Sequence, residues 1–105
     1  MDQKSIPNSL QTLTFGHYYD KIIKKNILPI SLHFLTFGYY FKQIIEKNTL
    51  PKSLKSLTFS WRYNQIIGEN VLPNSLIVIK FDHYYSYKYD YSKQKTIIPE
   101  KFQHI

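Results

Sequence analysis

Four histidines, His17, His33, His83 and His104, are the first side chains in this sequence that could hold a metal ion. A tetrahedral site needs three or four ligands that converge on one point. Glu46 and Glu69 are the carboxylates best placed for acid–base work. Ser9, Ser31, Ser53 and Ser75 are candidate hydroxyl nucleophiles. There is no cysteine, which removes disulfides, thiolate ligands and thiol nucleophiles together. Whether any of the remaining groups meet depends on how the chain spaces them.

That spacing is periodic. Pro7, Pro29, Pro51 and Pro73 stand 22 residues apart (29−7, 51−29, 73−51). Two positions after each comes Ser9, Ser31, Ser53 or Ser75, and three after comes Leu10, Leu32, Leu54 or Leu76. Six after comes Leu13, Leu35, Leu57 or Ile79, and eight after comes Phe15, Phe37, Phe59 or Phe81. Tyr19, Phe41, Tyr63 and Tyr85 align further on, followed by Ile23, Ile45, Ile67 and by Asn26, Asn48, Asn70. Pro99 falls 26 residues after Pro73, so the fourth coil is longer by four, and Phe102 and Ile105 take the Leu positions of an unfinished fifth. The sequence therefore predicts one repeat domain over residues 1–105, with coils 6–27, 28–49, 50–71 and 72–97 and a partial coil 98–105.

Each repeated position has a physical reading. Leu-x-x-Leu-x-Phe is a short strand entered after a bend, with its last two apolar residues on one face. Proline fixes φ and lacks a donor, so it belongs at the corner before the strand. The serine that follows is expected to bond local backbone and complete that corner. Gly16 and Gly38 mark the turn after the strand, where Ser60 and Asp82 stand in later coils. The Tyr/Phe and Ile-Ile segment is expected to return the chain in extended form, since β-branched pairs favour strand over helix. Asn26, Asn48 and Asn70 suit a turn at positive φ, and stacked they could form an amide ladder. One coil cannot fold alone, because stacking supplies both its ladder hydrogen bonds and the cover for its apolar faces. The expected architecture is a β-rich solenoid of parallel strands with right-handed crossovers.

The unit LPxSLxxLTFGxxYNQxI resembles the FNIP repeat, of the wider leucine-rich-repeat class. Coil three shows the motif most fully, with Tyr63, Asn64 and Gln65; coil two keeps Phe41 and Gln43 around Lys42. Coil one has Asp20 and Lys21 there, and coil four departs with Ser86 and Tyr87. The resemblance implies a leucine-rich-repeat-like fold, with a parallel sheet on a concave face and return segments on the convex one. It also implies a protein-interaction role, in a family typical of social amoebae and amoeba-infecting giant viruses. Relatives often join the repeats to an F-box as substrate receptors of ubiquitin ligases; the stretch before Pro7 is too short to hold one, so none is expected within this sequence.

Against this period the chemical candidates dissolve. His17 and His83 share one repeat position but are separated by three coils, about 14 Å at strand spacing. His33 and His104 occupy other positions, so no metal is expected. Lys24, Lys25 and Lys47 share the stretch of Glu46 and Glu69, which reads as a solvated charged face. The serines recur because the corner needs them, whereas a nucleophile would occur once, beside a base. The glycines form no phosphate-cradling loop. No catalytic residue, cofactor or metal site is expected, and the chain does not read as an enzyme.

The positions that vary carry the functional expectation. Residues between the Leu positions should face away from the core. The first such column is Gln11, His33, Lys55, Ile77 and Gln103, and the second is Thr12, Phe34, Ser56, Val78 and His104. A third holds Thr14, Thr36, Thr58 and Lys80, and a fourth, past the strand, holds His17, Tyr39, Trp61 and His83. The first three threonines suit simple strand formers. Phe34, Tyr39 and Trp61 with Ile77 and Val78 suggest an apolar-aromatic contact patch. The competing reading is that Trp61 and Tyr39 fold over the turn and cap the core. The candidate partner-binding residues are His33, Phe34, Tyr39, Lys55, Trp61, Ile77, Val78, Lys80 and His83. The insert of coil four puts Tyr85, Tyr87, Tyr89 and Tyr91 at period two, a strand pattern that either covers the core or offers a second surface.

Composition limits the remaining options. The sequence is 43% hydrophobic and 17% aromatic, enough for a packed core. Its net charge of +7 admits nucleic-acid binding as the alternative function, through basic groups and stacked rings. The charge is nevertheless spread at +2, +1, +2 and +2 over the four coils, and the lack of Ala with abundant Lys, Asn and Ile fits an AT-rich genome as well. A partial array without independent function is the third reading. No signal peptide or membrane span is recognisable, so a cytoplasmic protein is expected, in host cytoplasm if viral. Open solenoid ends predict weak self-association.

Overall fold

Every coil turns its corner in the same way. The Leu10, Leu32, Leu54 and Leu76 amides donate to the carbonyls of Pro7, Pro29, Pro51 and Pro73, at 3.3, 3.1, 3.1 and 3.1 Å. Proline presets the first turn dihedral, and the leucine side chain is then delivered to the interior. The structure, a computed structural model, describes residues 6–60, 62–68 and 70–82. Trp61, Glu69, the Tyr85–Tyr91 insert, His83, His104 and the partial fifth coil lie outside the described residues.

After each corner comes a strand: β1 (Thr12–Thr14), β2 (Phe34–Thr36), β3 (Ser56–Ser60) and β4 (Val78–Asp82). They form one parallel sheet in sequence order, in the register Thr12↔Phe34↔Ser56↔Val78 and Leu13↔Leu35↔Leu57↔Ile79. The period thus becomes a ladder: a residue's neighbour in space is its counterpart one repeat away. One residue ahead of the strands, single carbonyls take two donors each. Gln11 accepts from His33 and Phe34, His33 from Lys55 and Ser56, and Lys55 from Ile77 and Val78.

The interior is built of columns. Leu32, Leu35, Leu54 and Leu57 are fully enclosed, and Phe15, Phe37, Phe59 and Phe81 stack with centroids 5.3, 5.4 and 5.7 Å apart. A second row packs on the first: Tyr19 on Phe15, Phe41 on Phe37 and Tyr63 on Phe59, at 4.4, 4.0 and 4.1 Å. Offset parallel rings at these distances add to the area they bury.

One expectation is corrected. The corner serines do not bond local backbone; they reach back one coil. Ser31 Oγ donates to Leu10 O, Ser53 Oγ to Leu32 O and Ser75 Oγ to Leu54 O, at 2.6, 2.7 and 2.6 Å. The corner is already closed by its backbone bond, which leaves the hydroxyl to satisfy a carbonyl of the preceding coil. The return runs through residues 20–25, 42–47 and 63–68 contain no helix and do not pair into a sheet.

Side chains tie those runs together instead. Gln43 Nε2 donates to Asp20 Oδ1 at 2.9 Å, Gln65 Nε2 to Lys42 O at 2.9 Å, and Tyr63 Oη to Gln43 O at 2.8 Å. Burial pushes the Tyr63 phenol up, so it stays a neutral donor. Tyr63→Phe is expected to destabilise the fold by about 1 kcal/mol, because the Gln43 carbonyl loses its bond with little change of volume. Urea denaturation measures this, and an unchanged midpoint would show that the phenol bond contributes nothing. Asn26 and Asn48 take φ of 65° and 66°, as the turn expectation required, and both are exposed.

Candidate functional site

Strand alternation divides each strand between the core and the open side of the sheet. Leu35 and Ile79 point inward, while Phe34 is 50% exposed and Lys80 is exposed. Ile77, one residue ahead of β4, is 61% exposed, Lys55 is exposed, and His33 and Val78 are half-buried. The His33 ring meets the Phe34 ring edge-on at 6.4 Å. Thr58 is buried because the register places Thr36 and Lys80 on either side of it.

These residues do not make one apolar patch. The register puts Ser56 between Phe34 and Val78, which leaves them two strand spacings apart, about 9.6 Å. Lys55 stands between His33 and Ile77 in the same way. The open side of the sheet therefore alternates apolar side chains with Lys55 and Lys80, an amphipathic surface rather than a greasy one.

Tyr39 belongs elsewhere. It sits on the turn beyond β2, its ring stacked on His17 at 5.1 Å with 3° between the planes. The Arg62 guanidinium lies over the Tyr39 ring at 4.6 Å and over the Tyr40 ring at 5.4 Å. Tyr40 in turn stacks on Tyr18 at 5.2 Å. The rim of the solenoid thus carries a compact group of rings and a cation. Trp61 and His83, predicted to join Tyr39 there, lie outside the described residues.

A close approach of backbone holds this rim. The Tyr40 amide donates to His17 O at 3.1 Å, which lays the turn of coil two on that of coil one. At Gly38 a Cβ would stand 2.3 Å from the Gly16 carbonyl oxygen, so only glycine permits this contact. A Cβ at Gly16 would meet nothing within 4 Å, and the outer side of its turn, from Thr14 to Tyr19, bounds a groove of about 350 Å³.

Two columns escaped the sequence reading. Tyr18, 79% exposed, and Tyr40, 43% exposed, align with Arg62 and form one wall of a cleft of about 450 Å³. Ile22, Ile44 and Ile66 are exposed beside the buried Ile23, Ile45 and Ile67. The signal was in the doubled isoleucines: two neighbours on a chain cannot both face the core, so one of each pair must meet solvent. Among the described residues no group of three or more His, Cys, Asp or Glu could hold a metal ion. No described helix is long and apolar enough to cross a membrane.

Comparison with known proteins follows the same repeat. The FNIP Repeat family model matches residues 1–40, 41–84 and 63–105. Among solved structures, the chain is similar to CroV588, a circular LRR protein of the giant virus CroV, at 42% identity and a TM-score of 0.72. That similarity covers 92% of this chain and 14% of CroV588, so the chain spans about a seventh of its neighbour's length. No curated protein matches.

Proposed function

This chain belongs to the FNIP repeat family, and from that premise we propose that it is a non-catalytic scaffold that captures a protein partner on the open side of its sheet and the adjoining rim. The coarse class follows from the fold, since leucine-rich-repeat-like arrays are generally protein-interaction scaffolds. The observation that supports the finer reading is the exposure of Phe34 and Ile77 beside Lys55 and Lys80. Aromatic and aliphatic groups ringed by polar ones are the usual anchors of a protein contact.

Replacing Phe34 and Ile77 together with Ser tests this. Both side chains lie on the surface, so stability should stay within about 1 kcal/mol of wild type. Capture of the partner from native cells should fall at least about thirtyfold, the loss of one anchor of about 2 kcal/mol. Capture that matches wild type would remove the sheet from the binding surface.

A further inference from the structure

We propose that the cleft walled by Tyr18, Tyr40, Arg62 and Lys42 recognises an acidic segment of a partner protein, with a carboxylate bound by Arg62 and a neighbouring apolar side chain resting on the tyrosine edges. The inference rests on the scaffold reading only in taking the partner to be a protein, and it names a different surface.

The chemistry begins with Arg62. Its guanidinium lies 4.6 Å from the Tyr39 centroid and 5.4 Å from the Tyr40 centroid, between rings set 81° apart, which holds the charge at the cleft. A guanidinium has five N–H donors and rings accept none of them as a carboxylate does, so it still matches a carboxylate in a two-bond fork. Among the described residues no carboxylate pairs with it. Asp20, the one acidic residue lining the cleft among the described residues, is engaged by the Lys42 amide at 3.0 Å and by Gln43 Nε2 at 2.9 Å. With Arg62 and Lys42 against Asp20, the described lining carries a net positive charge. Its volume of about 450 Å³ suits a few side chains of an extended segment.

The same geometry disfavours a nucleic-acid strand. Base binding needs open ring faces, and most of these are spent within the rim. His17 covers Tyr39, Arg62 covers Tyr39 and Tyr40, and Tyr18 covers Tyr40. Among the described residues of the rim only Tyr18 keeps much of its ring open, and the two described cations make a short track for a phosphate backbone. A carboxylate asks for one fork and some apolar edge, which the cleft has.

Fluorescence anisotropy with a labelled eight-residue peptide of alternating Glu and Leu tests the proposal, beside the same peptide with Gln in place of Glu. Wild type should bind the Glu peptide at least about tenfold tighter than the Gln peptide, with the preference shrinking as salt rises. Arg62→Gln should lose about tenfold on the Glu peptide and nothing on the Gln peptide. Arg62→Lys, which keeps the charge without the fork, should fall between them. Equal affinity of wild type for the two peptides overturns the proposal without recourse to any variant. Unchanged Glu-peptide affinity in Arg62→Gln overturns it too, as does tighter binding of a single-stranded oligouridine. The double Phe34, Ile77 variant should retain Glu-peptide affinity, so failure of the sheet reading and failure of this one are separate results.

Discussion

Gly38→Ala is expected to cost roughly 3 kcal/mol, while Gly16→Ala should leave stability within about 0.5 kcal/mol of wild type. The two glycines hold the same position of successive coils, and the difference lies in what faces them. A Cβ at Gly38 would meet the Gly16 carbonyl oxygen at 2.3 Å, its carbon at 2.9 Å and His17 Cα at 3.0 Å. All three atoms are backbone, so no rotamer change relieves the clash and the two coils must separate. The Tyr40-to-His17 bond and the His17–Tyr39 stack would be strained in the same movement. For a domain of this size the loss amounts to a fall in melting temperature of roughly 15 °C. Thermal melts of the two variants side by side provide the measurement, and equal melting temperatures would show that the coils do not meet there. Neither glycine has a positive φ, so backbone freedom does not enter the comparison.

Phe59→Ala should cost more, about 3–5 kcal/mol. Phe59 is completely enclosed, belongs to the first row of rings and packs against the second. It lies between Phe37 at 5.4 Å and Phe81 at 5.7 Å, and carries Tyr63 on its face at 4.1 Å. Truncation would leave a hole where three rings meet, and none can close it without leaving its own column. Since a domain of this kind holds roughly 5–15 kcal/mol in all, much of the population would unfold. Phe59→Leu keeps most of the volume and should cost under about 2 kcal/mol. Urea titration of both variants would detect the order, and an Ala variant as stable as the Leu variant would mean that the ring rows contribute little.

The sheet was legible because the residues that build it answer to one constraint in every coil. Leu13, Leu35, Leu57 and Ile79 share a register position and a buried face, so periodicity reported them directly. Corner prolines and turn asparagines were legible for the same reason, each tied to a local dihedral. The serines were misread because a hydroxyl two residues from a proline has two satisfactory acceptors. Only the stacking of the coils decides between the local carbonyl and the one below. On the binding side, Phe34 and Ile77 were placed correctly in solvent, but their separation by Ser56 and Lys55 is a property of register across strands. Tyr18, Tyr40 and Arg62 were passed over because no two of their types spell a motif; they become a site only when Arg62 is laid on the rings of the coil before it.

The side-chain bonds that Ser31, Ser53, Ser75, Gln43, Gln65 and Tyr63 make to the preceding coil join residues 20 to 23 positions apart. Docking each of the second, third and fourth corners on the one before it therefore closes a loop of nearly the same length, at an entropic cost near 3 kcal/mol by loop-closure arithmetic. Among the described coils no step in the growth of the array is topologically harder than another. Once two coils have docked, the rest should follow as a zipper, in either direction along the chain, and folding time should depend on forming the first pair rather than on how many coils come after it.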